Sequence, residues 1–403
     1  MTLTSVEHVA GGEVLGAGAR LTTSVPGDRH AALAPVAARI VGTGRVTLLN
    51  GQDVPAVEIE PMASDLVSSS TETDLDVRRR LQEAVQSARA VDLPVWIDRF
   101  RDAGVWADRR CSPDLLAQLY QAIRRPLDSV ICNVLDGDPN SCIQSTVSTR
   151  NPAHVVAAVA LLGKLTGARN VWIVVEAGSP PAWWDQMRRL CRGQFVRLIW
   201  LTNDYPQSDP TLLLYTLLNR RLRPGRLPTE QGVIMLDAAA ALAIGRCAAI
   251  GAPMLDAPLA VRDHAMRLTH FISAPIGMNV AQILSQLGID RDRPTVRGGD
   301  VLRDERAPLD AVFGGTESVI HVTGGERVTN PDPCIRCGWC VEMCPTRIHP
   351  AGLLEASQRR SLPLGERYGL DACIECGICS YVCPSRLPLL EGIRTLKVLR
   401  SES

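Results

Sequence analysis

The sequence predicts a multidomain chain of mixed α/β and α+β class, built around a parallel sheet and ending in a small α-helical, cysteine-rich unit. Three observations predict it. Short β-like runs broken by glycine fill Gly11 to Pro61, strand-like and helix-like runs alternate from Asp128 onward, and eight of the 13 cysteines crowd into residues 334–383. At one domain per roughly 100 to 200 residues, 403 residues allow three or four compact units. An apolar fraction of 46% and a charged fraction of 21% are ordinary globular usage, so disorder is not expected.

The first unit, residues 1–61, contains GGEVLGAGARL and RIVGTGRVTLLNGQDVPAVEIEP, which read as short strands and turns. Gly16-Ala17-Gly18 and Gly42-Thr43-Gly44 are plain turns, because neither opens a helix after a strand as a phosphate loop does. Residues 62–90 hold a Ser- and Thr-rich linker, Ala63 to Asp74, and an amphipathic helix, Val77 to Ala90. Residues 91–254 carry SVICNV, HVVAAVALLGKL, VWIVVE, PAWWDQMRRLC, FVRLIWL and PTLLLYTLLNRRL in turn. Such alternation signals βαβ units around a parallel sheet. Burial on both faces explains why VWIVVE and FVRLIWL are nearly continuous apolar runs. Residues 255–325 have mixed periodicity and read as a small α+β unit; residues 326–403 form the cysteine unit.

Lys plus Arg and Asp plus Glu both total 43, so no excess positive charge is available to neutralise a nucleic-acid backbone. No stretch approaches the roughly 20 apolar residues of a membrane span. The N-terminal text lacks a signal-peptide pattern, which makes a cytoplasmic location the expectation. Cysteines at metal-ligand spacing in such a chain fit a reducing compartment better than disulfides do.

The two runs are Cys334-Ile-Arg-Cys337-Gly-Trp-Cys340-Val-Glu-Met-Cys344-Pro345 and Cys373-Ile-Glu-Cys376-Gly-Ile-Cys379-Ser-Tyr-Val-Cys383-Pro384. Each is C-x2-C-x2-C-x3-C-P, in which three closely spaced thiolates hold one 4Fe-4S cluster and the fourth ligates the other cluster. Cys334, Cys337, Cys340 and Cys383 are therefore expected to bind the first cluster, and Cys373, Cys376, Cys379 and Cys344 the second. Zinc would use paired CxxC motifs, but it leaves the doubled spacing and both prolines unexplained. Cys111, Cys132, Cys142, Cys191 and Cys247 share no ligand spacing and are expected to be core thiols. His349 is expected to be solvated or to cap a helix.

Asp136-Gly137-Asp138-Pro139 follows the strand SVICNV, at the carboxyl end where open α/β sheets bind ligands. Asp136 and Asp138 are thus candidates to accept ribose or nicotinamide hydrogen bonds. A turn with an Asp cap is the alternative.

With these motifs in view, the chain resembles the C subunit of the Rnf electron-transport complex, RnfC or RsxC. PCIRCGWCVEMCP and CIECGICSYVCPSRLPL look like its ferredoxin-type domain. ICNVLDGDP is similar to the family's N-G-A-E-C-E-P segment, with Asp136 and Asp138 at its two glutamates, and Tyr205 to Met235 is similar to its Y-P-Q and L-P-x-x-x-G-V pattern. The resemblance implies a lipoyl-like barrel-sandwich over 1–61, a Rossmann-like FMN- and NADH-binding domain over 91–254, and a β-grasp (soluble-ligand-binding) unit over 255–325. It also implies a ferredoxin-type domain with two 4Fe-4S clusters over 326–403. FMN and NADH would feed single electrons to the clusters. The implied partners are other redox proteins, either a membrane electron-transport complex or a ferredoxin, with the chain peripheral on the inner face of the membrane.

The text departs from the family where a G-G-A-G-F-P-T loop should cradle the flavin phosphate. Val105-Trp-Ala-Asp-Arg-Arg-Cys-Ser-Pro113 has no glycine and carries bulky side chains. Its backbone cannot easily adopt positive φ or approach a phosphate. The first expectation is therefore an RnfC-like relay whose central domain acts mainly as scaffold. The second is a working NAD(P)H- or FMN-dependent oxidoreductase, of Rnf type or like the cobalamin reductase of propanediol utilisation. The third is an assembly module stabilised by its clusters.

Overall fold

The computed structural model describes the chain except for residues 1–13, 22–32, 63–73, 138–140, 290–293, 301, 304–305, 325–329 and 403. The linker expected from Ala63 to Asp74 thus lies almost wholly outside the described residues. Strands β1 (Val14–Leu15), β2 (Ala38–Thr47) and β3 (Asp53–Pro61) form an antiparallel sheet in that order. The turn between β2 and β3 is itself a docking element. Leu49 N–H donates to the Val312 carbonyl at 3.1 Å, and Val312 N–H donates to that of Thr47 at 2.9 Å.

Helices α1 (Asp74–Ser87), α2 (Leu93–Asp102) and α3 (Leu115–Arg124) follow. Helix α1 starts and stops three residues earlier than expected. It stops there because Arg89 is extended, at φ −133° and ψ 158°, ahead of a one-turn 3-10 helix. The central sheet has four parallel strands, β4 (Ser129–Asn133), β5 (Asn170–Glu176), β6 (Arg197–Leu201) and β7 (Val233–Asp237), in the order β6-β5-β4-β7. Between and after them lie α4 (Ile143–Arg150), α5 (Pro152–Thr166), α6 (Pro181–Cys191), α7 (Pro210–Leu218) and α8 (Ala238–Ile250).

Alternate residues of the strands enter different cores. Val130, Cys132, Ile173 and Leu236 pack with Val159, Leu162, Ala241 and Ile244 of α5 and α8. Ile131, Val174 and Met235 pack with Leu213 and Leu214 of α7 on the opposite face. Two buried faces are what the run VWIVVE required. FVRLIWL departs from that expectation: β6 ends the sheet, its residues are exposed or half-buried, and Trp200 is 55% exposed. Strand order reverses direction between β4 and β7, which creates the switch-point crevice at their carboxyl ends. The outer edge of β7 is covered at one residue by a side chain. The Gln118 amide donates to the Met235 carbonyl at 2.9 Å and accepts from Met235 N–H at 2.8 Å, imitating a neighbouring strand.

A five-stranded mixed sheet comes next, from β8 (Asp256–Asp263), β9 (Leu268–Pro275), β10 (Thr295–Gly298), β11 (Arg306–Ala307) and β12 (Val319–Thr323), in the order β11-β10-β12-β8-β9. Only the β12 and β8 pairing is parallel among these. Helix α9 (Val280–Gln286) contributes Val280, Ile283 and Leu284 to its core. The chain then enters a helical unit of α10 (Trp339–Glu342), α11 (Pro350–Gln358), α12 (Leu362–Arg367), α13 (Ile378–Tyr381) and α14 (Leu389–Ser401). Leu353, Leu370, Leu389, Ile393 and Leu396 form its own core. Among the described residues no helix is long and apolar enough to cross a membrane.

Helix α8 approaches α5 closely at Gly245. A Cβ there would stand 2.9 Å from the His154 carbonyl oxygen and 3.0 Å from its Cα, both backbone atoms that cannot swing aside. Gly245→Ala should therefore destabilise the chain by about 1–3 kcal/mol, although alanine is the better helix former. A melting temperature at or above that of the parent would contradict this contact.

Candidate functional site

The two cysteine runs fold as a repeat. Arg336 and Glu375, between the first and second cysteines of each run, have φ +56° and +54°; Gly338 and Gly377 have +83° and +80°; Arg347 and Arg386, past each last cysteine, have +58° and +54°. Non-glycine residues at positive φ are uncommon, so their recurrence at matching places marks a backbone wound twice in the same way. That winding turns amide groups toward sulfur. Glu375 N–H donates to Cys373 Sγ at 3.4 Å, and burial raises the pKa values of Cys376, Cys379 and Cys340 against the opposing amides of Ile378, Ser380 and Ala351.

The fold gathers the thiols into two sets of four. Those close enough to Cys340 to raise its pKa by like charge are Cys383, Cys337 and Cys334. Those close to Cys379 are Cys373, Cys376 and Cys344. In each set three thiols come from one run and one from the other. The second set lines a cavity with Ile348, Ile374 and Ile393. Thiols spread around a cavity suit a cluster of irons.

Burial separates the sets. Cys344, Cys373, Cys376 and Cys379 are buried, whereas Cys334 and Cys337 are exposed and Cys340 and Cys383 intermediate. Burial pushes the Cys373 thiol up to about 11, against the pull of Lys397, and the Cys379 thiol up to about 12. Buried thiols that resist ionisation become thiolates when a cation meets them, and iron supplies that charge. The residues present therefore fit two 4Fe-4S clusters.

The buried set faces the rest of the molecule. The Tyr205 hydroxyl lies 2.5 Å from the Cys376 carbonyl oxygen and 2.8 Å from Asp300 Oδ2. Gly377 lies so close to Leu302 that a Cβ would collide with the Leu302 carbonyl, while nothing lies within 4 Å of the equivalent Cβ position at Gly338.

The switch-point crevice is filled by protein. Asp237 ends β7 and caps α8, accepting from Ala240 N–H at 2.7 Å. Arg109 Nη1 lies 3.5 Å from Asp237 Oδ1, with the side chains 2% and 0% exposed, and Arg109 Nη2 donates to the Gly315 carbonyl at 2.7 Å. Gln144 Nε2 donates to Asp237 Oδ2 at 3.1 Å. Arg109 also pairs with Ser112 in an isolated bridge, so Val105 to Pro113 folds back on itself as a buried turn. These residues do not fit a flavin phosphate, because a guanidinium already occupied by a carboxylate stands where a bare backbone is needed.

Asp136 is buried and accepts from Gln144 N–H at 2.7 Å, at the start of α4. Asp138 lies outside the described residues. Of the expected core thiols, Cys111, Cys132, Cys191 and Cys247 are buried, but Cys142 is exposed. The correction has a local cause: Cys142 is the left-handed N-cap of α4, at φ +44°, where the chain turns at the surface. His349 is exposed; it caps α11 by accepting from Gly352 N–H at 2.8 Å, and it stacks on Tyr368. Asp237 and Arg109 were not singled out from the sequence. The signal for Asp237 was present, an aspartate between an apolar strand and an alanine run.

Two outcomes follow from this geometry. Burial raises the Asp136 pKa to about 6, over the pull of Ser145 and the Gln144 amide. Between the ordinary carboxylate value and about 6 the folded chain holds a proton that the unfolded chain releases, so folding weakens as pH rises and the loss is constant above. Asp136→Asn keeps the acceptor without the charge, and its stability relative to the parent should improve by about 1 kcal/mol from about pH 5 to about pH 7; a pH-independent difference would contradict the burial. Gly377→Ala should lower the melting temperature more than Gly338→Ala, because only the former meets a second element.

Residues 116–246 match the Nuo51 FMN-binding domain and residues 333–388 the 4Fe-4S dicluster domain. The first match leaves Val105 to Pro113 outside it. The C subunit of the Na(+)-translocating ferredoxin:NAD(+) oxidoreductase complex of Acetobacterium woodii is 26% identical over 239 residues, covering 58% of this chain and 54% of that protein. The C subunit of the ion-translocating oxidoreductase complex of Rhodobacter capsulatus is 24% identical over 380 residues, covering 92% of this chain and 70% of that protein. The match thus spans about half the length of the first relative and more of the second. An NAD+-reducing [NiFe]-hydrogenase in the H2-reduced state shares the fold with a TM-score of 0.53 at 14% identity, covering 79% of this chain and 63% of that one. The chain is accordingly RnfC-like, similar to the C subunits of the ion-translocating oxidoreductase complexes and carrying a Nuo51-type domain followed by a 4Fe-4S dicluster domain.

Proposed function

We propose that the chain is an RnfC-like electron-relay subunit, with an outer 4Fe-4S cluster on Cys334, Cys337, Cys340 and Cys383 and an inner one on Cys344, Cys373, Cys376 and Cys379. The contrast in burial between the two thiol sets carries this reading. A group meant only to brace the fold gains nothing from an exposed edge, whereas an electron exit needs one. When bound, the clusters supply one-electron transfer at potentials set by hydrogen bonding and solvent exposure. The protein's own residues supply the rest. Ile348, Ile374 and Ile393 keep water from the inner set, and Ile335, Trp339 and Met343 present an exposed apolar rim on the outer run.

The partner is another redox protein, in a membrane electron-transport complex or as a ferredoxin, and the chain sits peripherally on the cytoplasmic side. The relatives' description as C subunits of such complexes supports the partner. The same reading divides the chain into a barrel-sandwich over 1–61, a linker and helix over 62–90, a Rossmann-like domain over 91–254, a β-grasp unit over 255–325 and a ferredoxin-type unit over 326–403. The antiparallel, parallel and mixed sheets support it in turn. The Rossmann-like domain serves mainly as scaffold, since Arg109 and Asp237 fill its switch point.

The Nuo51 match favours a second reading, an NAD(P)H- and FMN-dependent oxidoreductase. Anaerobic purification with optical and EPR spectra separates the two. The relay predicts clusters reducible by dithionite and unmoved by NADH; bound flavin bleached by NADH would select the second reading. Cys383→Ala should lose the outer cluster and roughly half of the iron, although it lies in the second run. Loss of the inner cluster instead would overturn the crossed ligation.

A further inference from the structure

The turn that fills the switch point also reaches the cluster unit. Arg109 enters the crevice, while the next residue, Arg110, leaves it. Arg110 Nε pairs with Asp209 Oδ2 at 2.9 Å, and Nη2 donates to the Ile374 carbonyl at 2.8 Å, one residue beyond Cys373. Its third nitrogen, Nη1, is buried with no hydrogen-bond partner. Asp209 is held in turn, accepting from Thr211 N–H at 2.9 Å at the start of α7. An orphaned donor on a buried cation is costly. Among the described residues no cysteine sulfur accepts from Nη1, so the acceptor that completes it is a sulfide of the cluster itself.

We propose that Arg110 is the positioning residue that sets the reduction potential of the inner 4Fe-4S cluster, its guanidinium supplying fixed positive charge and Nη1 an N–H···S bond. This rests on ligation of that cluster by Cys344, Cys373, Cys376 and Cys379. One electron taken up there adds one negative charge, and a cation in a poorly screened interior favours the charged product more than the starting state. Burial opposes the charge on Arg110, but Asp209, Tyr205 and Asp300 hold its pKa above the ordinary arginine range. It therefore stays cationic at every working pH. Its influence reaches Cys376 ahead of the opposing one from Asp209, so the carboxylate behind it does not cancel it. Lys397 also acts on this run, donating to the Cys373 carbonyl at 2.8 Å while paired with Glu375 at 2.7 Å, and Arg394 pairs with Glu375 at 3.1 Å; the Arg110 variants leave both of these charges in place. Of the outer thiols, Cys334 and Cys337 are exposed and Cys340 and Cys383 half-buried, so water screens that set more than the inner one.

Redox titration with dithionite and mediators, followed by EPR on the full chain, tests this. In Arg110→Gln the inner midpoint potential should fall while the outer one holds, and Arg110→Lys should restore much of the difference. Asp209→Asn, which keeps the helix cap, should move the inner midpoint upward. A loosened interface cannot shift one cluster in opposite directions in two variants. Both clusters present in Arg110→Gln with an unmoved inner midpoint, or an equal shift in both, would overturn the proposal. If Arg110→Gln is isolated without its inner cluster, Asp209→Asn decides, and no upward movement rejects it. Parent protein with no cluster signal at all would instead remove the ligation reading on which the proposal rests.

Discussion

A guanidinium and a carboxylate 3.5 Å apart, neither with meaningful exposure, are expensive to remove from water, and the Arg109 and Asp237 pair survives because its surroundings meet most of its polar atoms, Arg109 Nε excepted among the described residues. Asp237 also receives Gln144 Nε2 and the Ala240 amide, and Arg109 also donates to Gly315. Those contacts come from β7, α4, α8 and the loop before β12. The pair therefore fixes the central sheet, the first turn of α8 and the mixed sheet in one arrangement. Removing either member would strand the other in the interior. Everything built on that arrangement, including the wall against which the inner thiols rest, depends on it.

The thiol sets show a different constraint. Three thiols of each set are local, so their spacing can be met by one short winding of backbone. The fourth must be delivered by the other run, and the packing of α11 on α14 does this. The repeat is symmetric in backbone dihedrals but not in surroundings. One half is covered by Tyr205 and the Leu302 loop, and the other half is open. Symmetry in the local chain with asymmetry in its neighbours is what gives two chemically similar sites different access to solvent.

This division explains what could be read from the sequence. The strands β4, β5 and β6 were legible as apolar runs, but burial on both faces explains only β4 and β5, since β6 lies at the end of the sheet with Trp200 exposed. The cysteine runs were legible because their spacing is short-range. The burial contrast between them was not, since it depends on elements far away in the chain. Arg109 meets Asp237 across 128 residues, and Arg110 meets Ile374 across 264. No periodicity encodes such pairings. Cys142 failed as a core thiol for a similar reason, because composition alone does not reveal a surface turn at a helix start.

The loop itself sets a choice. A phosphate is held by amides on a backbone free of side chains, which demands glycine. Arg109 and Ser112 exchange backbone hydrogen bonds at 2.9 Å around a tight turn, so Arg109 sits on the bridge and Arg110 on the turn itself. One therefore enters the crevice while the other crosses to the cluster unit. A bare loop cannot carry two guanidinium groups, and here both are engaged by protein carboxylates, Asp237 and Asp209. In this chain the loop links the central unit to the clusters through fixed charge and hydrogen bonds.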